Sequence, residues 1–207
     1  MGQIFISAGH GGFENGIRDV GTVVPGTTES QEMIQLRDLI LPELRARGFD
    51  VLSVPDDLSL SQSIIWINSR ARSGAIALEI HADAFRSSSI RGASVYHISQ
   101  NLERKGQAEL LLLALLRRVP QLPSRGVKSD TQTGIGRLAF CRQVAPASLL
   151  MQVGYLSNDR CTQESRSVQI TMALQLLGLE VRPVTFLVGL ESLTPTHLLA
   201  CLVLTLL

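Results

Sequence analysis

The chain has 207 residues, 45% of them hydrophobic and 18% charged, with a net charge of +1. That length suits one domain with a substantial core, and the composition excludes a disordered chain. The balanced, dispersed charge leaves no electrostatic footprint for nucleic acid or an anionic membrane surface. Cys141, Cys161 and Cys201 form no CxxC pair, so neither a thiolate zinc site nor a disulfide framework is read. They are expected to be free, partly buried thiols. No basic segment followed by an apolar stretch and a cleavage site precedes the first strand. The chain is therefore expected to be made as a soluble cytoplasmic protein.

In chain order, a strand over about Gln3–Ala8 leads into a Gly-rich loop from Gly9 to Thr28. A loop that long is commonly functional. Thr28, with Gln31 three residues on, reads as an N-cap, and the apolar spacing of Met33, Leu36, Leu39, Ile40 and Leu44 predicts a helix ending near Gly48. Pro42 is expected to kink or shorten it. A strand over 49–54, a helix over 58–73 and a strand over 75–80 follow, the last ending on His81. Next come a strand over 91–99, a helix over 102–119, a polar loop over 123–136, the segment 138–141 and a buried strand over 148–153. This alternation predicts a single α/β domain with a mostly parallel twisted sheet flanked by helices.

Residues 1–180 are assigned to that domain, with a closing helix over 165–177, and residues 181–207 to an apolar tail. The uninterrupted apolar run from about Leu198 is roughly half the length a bilayer crossing needs, so no membrane span is read.

Two histidines, His10 and His81, each follow a buried-looking strand and each precede small residues that let the backbone turn. Neutral imidazole is the commonest metal ligand, and strand ends of α/β sheets are where such groups converge. A catalytic site with an open position for water needs a third ligand. Glu29, opening the first helix, is the best candidate. Glu32 reads as a solvated helix-surface carboxylate, and Glu14 in the loop stays open. Glu79 alternates with His81 on one strand face, suited either to orienting a ligand or to pairing with an arginine. His97 reads as structural or rim-facing, His197 in the tail is weaker still, and Gly134-Ile135-Gly136 reads as a loop rather than a dinucleotide fingerprint.

The chain resembles the zinc-dependent N-acetylmuramoyl-L-alanine amidases of the type 3 group. The resemblance rests on Ala8-Gly9-His10-Gly11-Gly12, Arg18-Asp19-Val20-Gly21, Thr28-Glu29, Glu79-Ile80-His81-Ala82-Asp83-Ala84, Arg91-Gly92-Ala93-Ser94-Val95-Tyr96 and the stretch from Ala145 to Asn158. It covers about residues 3–160. It implies His10, Glu29 and His81 as ligands of Zn2+, with Asp83 as a residue that orients a ligand. The implied substrate is peptidoglycan, at the amide between N-acetylmuramic acid and L-alanine, and the implied place of action is the periplasm or cell wall. One position departs. Where the resemblance leads one to expect the glutamate that shuttles the proton, this chain has Gln152. An amide side chain cannot take a proton near neutral pH, so reduced activity is expected. A non-catalytic zinc-containing relative that binds muropeptide, or a zinc hydrolase of another amide, are the alternatives.

Overall fold

A computed structural model describes residues 2–158. The assigned closing helix and apolar tail, with Cys161, Cys201 and His197, lie outside the described residues.

Strand β1 (Gln3–Ala8) is followed by two short ribbons, β2 (Phe13–Glu14) with β3 (Ile17–Arg18) and β4 (Val23–Val24) with β5 (Thr27–Thr28). Helix α1 (Glu29–Ala46), β6 (Asp50–Ser53), α2 (Leu60–Asn68) and β7 (Ile76–Asp83) come next. The described chain closes with β8 (Ala93–His97), α3 (Leu102–Arg118), β9 (Ser124–Ser129), α4 (Ala139–Gln143) and β10 (Ala147–Tyr155). The main sheet has the order β6-β1-β7-β10-β8-β9. Its first four strands are parallel, β8 runs antiparallel to β10, and β9 is parallel to β8.

Alternation along the strands divides the interior. Ile4, Ile6, Leu78, Ile80, Leu149 and Met151 face α1 and α3, and bury Met33, Leu36, Leu44, Leu111 and Leu115 with them. Phe5 and Ala77 face the other way, against Ile64, Ile67, Phe140 and Val144 of the α2 and α4 side. The predicted α/β architecture is the observed one. No helix among the described residues is long and apolar enough to cross a membrane.

Four local expectations give way. The loop between β1 and α1 is folded into two ribbons rather than left irregular. Pro42 does not shorten α1, which runs on to Ala46. An interior proline costs about 3 kcal/mol, but Leu41 and Leu44 beside it are buried, and burial of each such side chain contributes about 1.5–3 kcal/mol. Helix α2 is shorter than predicted. Buried Gln3 takes the Arg72 N–H at 2.8 Å and donates to the Arg70 carbonyl at 3.2 Å, holding that backbone outside the helix. Strand β9 lies inside the predicted polar loop. Its sequence, Ser124-Arg125-Gly126-Val127-Lys128-Ser129, has a single large apolar residue because it forms the sheet edge, where charge is favoured.

Asp130 fastens this edge to α4. It is fully buried, accepts from Ser99 N at 2.8 Å and forms an ion pair with Arg142, whose Nη2 donates at 3.1 Å. Asp130→Ala would leave the Arg142 charge without its partner, and is expected to destabilise the fold by about 3–5 kcal/mol in urea unfolding. A loss below about 1 kcal/mol would show that Arg142 finds water instead.

Candidate functional site

The site forms where the carboxyl ends of β1 and β7 meet the start of α1. Gly9 N donates to Ile80 O at 2.8 Å, fixing the chain just past β1 beside β7. A Cβ on Gly9 would lie 2.3 Å from the His81 ring, so only glycine admits the imidazole there. His10 then adopts φ 68°, a left-handed conformation rare outside glycine and frequent at functional positions. The loop folds back through Gly11 N to Asp19 O at 2.6 Å and Asp19 N to Gly12 O at 2.8 Å. Gly21, with φ +63°, would carry a Cβ within 2.5 Å of the His10 ring and 2.8 Å of Glu29 Oε2. Thr28 caps α1, its Oγ1 accepting from Gln31 N at 3.3 Å, which sets Glu29 at the first helical position.

Glu29 is 3% exposed and stands between the two imidazoles. His81 Nδ1 lies 2.9 Å from Oε1, and His10 Nε2 lies 3.3 Å from Oε2. The backbone N–H groups of Ala82 and Thr22 donate to the same two oxygens, each at 3.1 Å. The rings are edge to face, with centroids 5.1 Å apart. One ligand atom from each of His10, Glu29 and His81 lies within 4.8 Å of the others. Two imidazole nitrogens and one carboxylate form a donor set suited to catalytic zinc, so the residues fit that ion.

The outer ring nitrogens also meet carboxylates. His10 Nδ1 donates to Asp19 Oδ2 at 2.7 Å, and Asp19 Oδ1 accepts from Gly21 N at 2.9 Å. That bond directs the Nε2 of His10 inward, the arrangement typical of metal-bound histidines. His81 Nε2 lies 3.2 Å from Glu79 Oε2 but out of hydrogen-bond alignment.

These contacts perturb His10, His81, Glu29 and Asp19. Burial lowers the pKa of His81, but Glu29 and then Glu79 outweigh it and push the imidazole up. His10 is likewise raised, burial being overcome by Glu29 and Asp19, with the charge of His81 opposing. Burial raises Glu29, yet the two imidazoles hold its carboxyl well below the usual carboxylate range. Asp19 is lowered, burial being outweighed by His10 and the Gly21 N–H.

Other candidates are placed elsewhere. Strand β7 continues two residues past His81, to Asp83, so that imidazole does not sit at its very end. Glu32 is buried rather than solvated and accepts from Thr27 Oγ1 at 2.8 Å. Glu14 accepts from Leu60 N at 3.0 Å, at the start of α2. Asp83 accepts from its neighbour Ala84 N at 2.7 Å, whereas Asp19 is the carboxylate that orients a ring. His97 is buried, with Nδ1 2.8 Å from Ile98 O, and Cys141 is a buried free thiol whose pKa burial pushes up to about 12.

Gln152 is 9% exposed and sits directly across from His81 on β10, both side chains lining one cleft of about 660 Å³. The segment 132–135 and Arg137 form part of the wall of that cleft. Nothing in its composition distinguishes it from an ordinary surface loop. Asp19 had no role assigned from sequence, although it stands in the Arg18-Asp19-Val20-Gly21 element of the resemblance.

The N-acetylmuramoyl-L-alanine amidase family Amidase_3 matches residues 4–174. The amidase AmiC of Neisseria meningitidis serogroup B is 28% identical over 110 residues, which are 52% of this chain and 25% of that protein. The matched part thus spans about a quarter of the length of that curated relative. The fold is shared with AmiC2 of Nostoc punctiforme, at TM-score 0.67 and 19% identity over 85% of this chain and 95% of that one. It is shared too with the CwlV catalytic domain of Bacillus (Paenibacillus) polymyxa var. colistinus, at TM-score 0.64 and 22% identity over 85% and 99%. CwlD of Clostridioides difficile, solved with the GerS lipoprotein, gives 0.66 and 21% over 86% and 98%. The chain belongs to the N-acetylmuramoyl-L-alanine amidase family.

Proposed function

We propose that this protein is a zinc-dependent peptidoglycan hydrolase that cleaves the amide joining N-acetylmuramic acid to L-alanine. The observation that carries the reading is the convergence of His10, Glu29 and His81 donors within 4.8 Å in a cleft, in a chain of the amidase family. Peptidoglycan lies outside the cytoplasm, so the periplasm or cell wall is the proposed place of action.

His10 Nε2, His81 Nδ1 and a Glu29 oxygen would hold the metal. Zinc, when bound, supplies a Lewis acid that polarises the scissile carbonyl and brings the pKa of water down to about 7. The chain contributes the rest. Asp19 holds the His10 tautomer, and the Thr22 and Ala82 N–H groups fix the Glu29 carboxylate. Gln152 can hydrogen-bond a water or the substrate carbonyl but cannot carry a proton. Proton transfer routed through that position is expected to be about 10²–10⁴ slower than through a carboxylate. The same residue favours a second reading, a zinc site that holds muropeptide without cleaving it.

Elemental analysis of the purified chain is expected to give one zinc per molecule, and His10→Ala and His81→Ala are each expected to lose it. Incubation with an N-acetylmuramoyl-L-alanyl peptide is expected to release a free alanine amine. Zinc without release would favour the binding reading, and material free of metal under conditions that spare weakly held ions would sink both.

The raised imidazoles add a pH dependence. Near neutral pH the metal-free site holds protons that a metal must displace, so zinc affinity is expected to rise with pH until it passes the raised imidazole values. Calorimetry at pH 7 in two buffers of different ionisation enthalpy is expected to show between one and two protons released per zinc. The raised imidazoles also stabilise the metal-free fold below about 6.5, and that contribution fades as pH rises through their folded values. Metal-free thermal midpoints that increase from pH 6.5 to 9 would contradict this.

A further inference from the structure

The cleft is uneven in charge. Its carboxylates, Glu14, Asp19, Glu29, Glu79 and Asp83, come from the connection between β1 and α1, from α1 itself and from β7. The one lysine or arginine that lines it among the described residues is Arg137, on the wall just before α4. Arg137 is exposed, and no hydrogen bond or ion pair among the described residues engages its guanidinium. Asp130, the described carboxylate closest to it in sequence, is fully buried and already holds Arg142 and Ser99 N. On an open surface such an arginine is simply hydrated. Inside a cleft of about 660 Å³, a single cationic head that the protein leaves unused is a group that orients a ligand. The planar guanidinium fork matches a carboxylate with two parallel hydrogen bonds.

The chain on both sides of Arg137 is fixed. Before it, Ser129 N donates to Gln132 Oε1 at 2.8 Å, Gln132 N donates to Ser129 O at 2.9 Å, and Thr133 Oγ1 donates to Gly136 O. After it, Leu138 is buried with Cys141 and Leu150. Leu150 precedes Gln152 by two residues on β10, so both side chains project to the same face, about 7 Å apart along the strand. Gln152 in turn lies directly across from His81. Arg137 is thereby held beside the His10, Glu29 and His81 group but not in it. A carboxylate on the residue after the scissile alanine lies beyond a Cα–Cα step of about 3.8 Å. The guanidinium on its long stem can meet that carboxylate while the amide stays at the three ligand candidates.

We propose that Arg137 binds the free α-carboxylate of the second residue of the stem peptide, and so selects peptidoglycan in which that carboxylate is not amidated. The proposal rests on the amidase reading above and adds a direction for the substrate. The peptide lies toward the segment 132–137 and the sugar away from it. Laid the other way, an anionic peptide would meet the carboxylates that line the rest of the cleft and be repelled. A second residue of D-glutamate, linked onward through its side chain, keeps the α-carboxylate, whereas D-isoglutamine carries an amide there. The amide has no charge and a single acceptor oxygen, so it forfeits the two-bond, charge-assisted pair.

The test uses the full zinc-loaded chain and two probes, N-acetylmuramoyl-L-alanyl-D-glutamate and N-acetylmuramoyl-L-alanyl-D-isoglutamine, which differ in that one group. Cleavage is read as kcat/KM and binding as Kd by calorimetry. The parent is expected to favour the D-glutamate probe by about tenfold, the scale of one charge-assisted pair. That preference is expected to shrink as salt is raised, because Arg137 is exposed. Arg137→Gln is expected to bring the ratio to within about twofold of unity, and Arg137→Lys, which keeps the charge without the fork, to fall between. A parent that does not distinguish the probes overturns the proposal. So does an Arg137→Gln chain in which both probes weaken together and the ratio persists, the mark of a residue that only supports the wall. A parent that cleaves neither probe but binds them with the expected ratio, lost in Arg137→Gln, keeps the carboxylate site and overturns cleavage alone. A parent that neither cleaves nor binds either probe overturns both.

Discussion

One carboxylate, Glu29, holds the chemistry of this molecule together. Its two oxygens each face an imidazole and each accept a backbone N–H, from Ala82 on β7 and from Thr22 in the loop. Removing it would leave two half-buried imidazoles facing one another with no charge between them. The loop that carries His10, the first turn of α1 and the end of β7 are joined through that one side chain. Backbone bonds from Glu29 N to Thr22 O, Ser30 N to Val20 O and Gly9 N to Ile80 O reinforce the link, so the geometry of the candidate site and the local fold are a single problem.

The sheet prepares the ground for it. The chain passes from β1 through α1 to β6 on one side, then returns through α2 to β7 on the other side of β1. Such a reversal opens a crevice beyond the carboxyl ends of the strands, and the donors sit there. The direction then changes between β10 and β8, so the far half of the sheet presents Tyr96 and the segment before α4 as a wall of the same cleft. Packing differs on the two faces. The α1 and α3 face is mostly hydrocarbon, with buried His97 at one end of β8, while the α2 and α4 face carries Ser7, Glu79, His81, Ser94, Ser148 and Gln152 among its apolar residues. A face so interrupted has less apolar area to bury, and four of these polar groups, Ser7, Glu79, His81 and Gln152, line the cleft.

Glycine and backbone strain complete the enclosure. Gly9 and Gly21 leave room for the His81 and His10 rings, where any side chain would displace them. His10 itself adopts a left-handed conformation. Strain of this kind persists only where surrounding contacts over-determine it, and the paired bonds between Gly11, Gly12 and Asp19 do so.

The sequence alone determined the α/β class, the core faces of β1, β7 and β10 and the capped start of α1, and it named His10, Glu29 and His81 as the candidate trio, because each is written in local periodicity or in a motif. It also exposed the oddity at Gln152. It mistook Glu32 for a surface group and left Asp19 without a role. It left Glu79 open between orienting a ligand and pairing with an arginine, where the structure sets it beside His81 Nε2, and it read the β9 edge as loop. Those errors share a cause. Whether a carboxylate is solvated, paired or left facing a cleft depends on which strands and loops become neighbours. Edge strands lack the apolar alternation that announces a buried one. Local chemistry named the residues, and only the crossing of β1, β7 and β10 with the returning loop decided which of them meet.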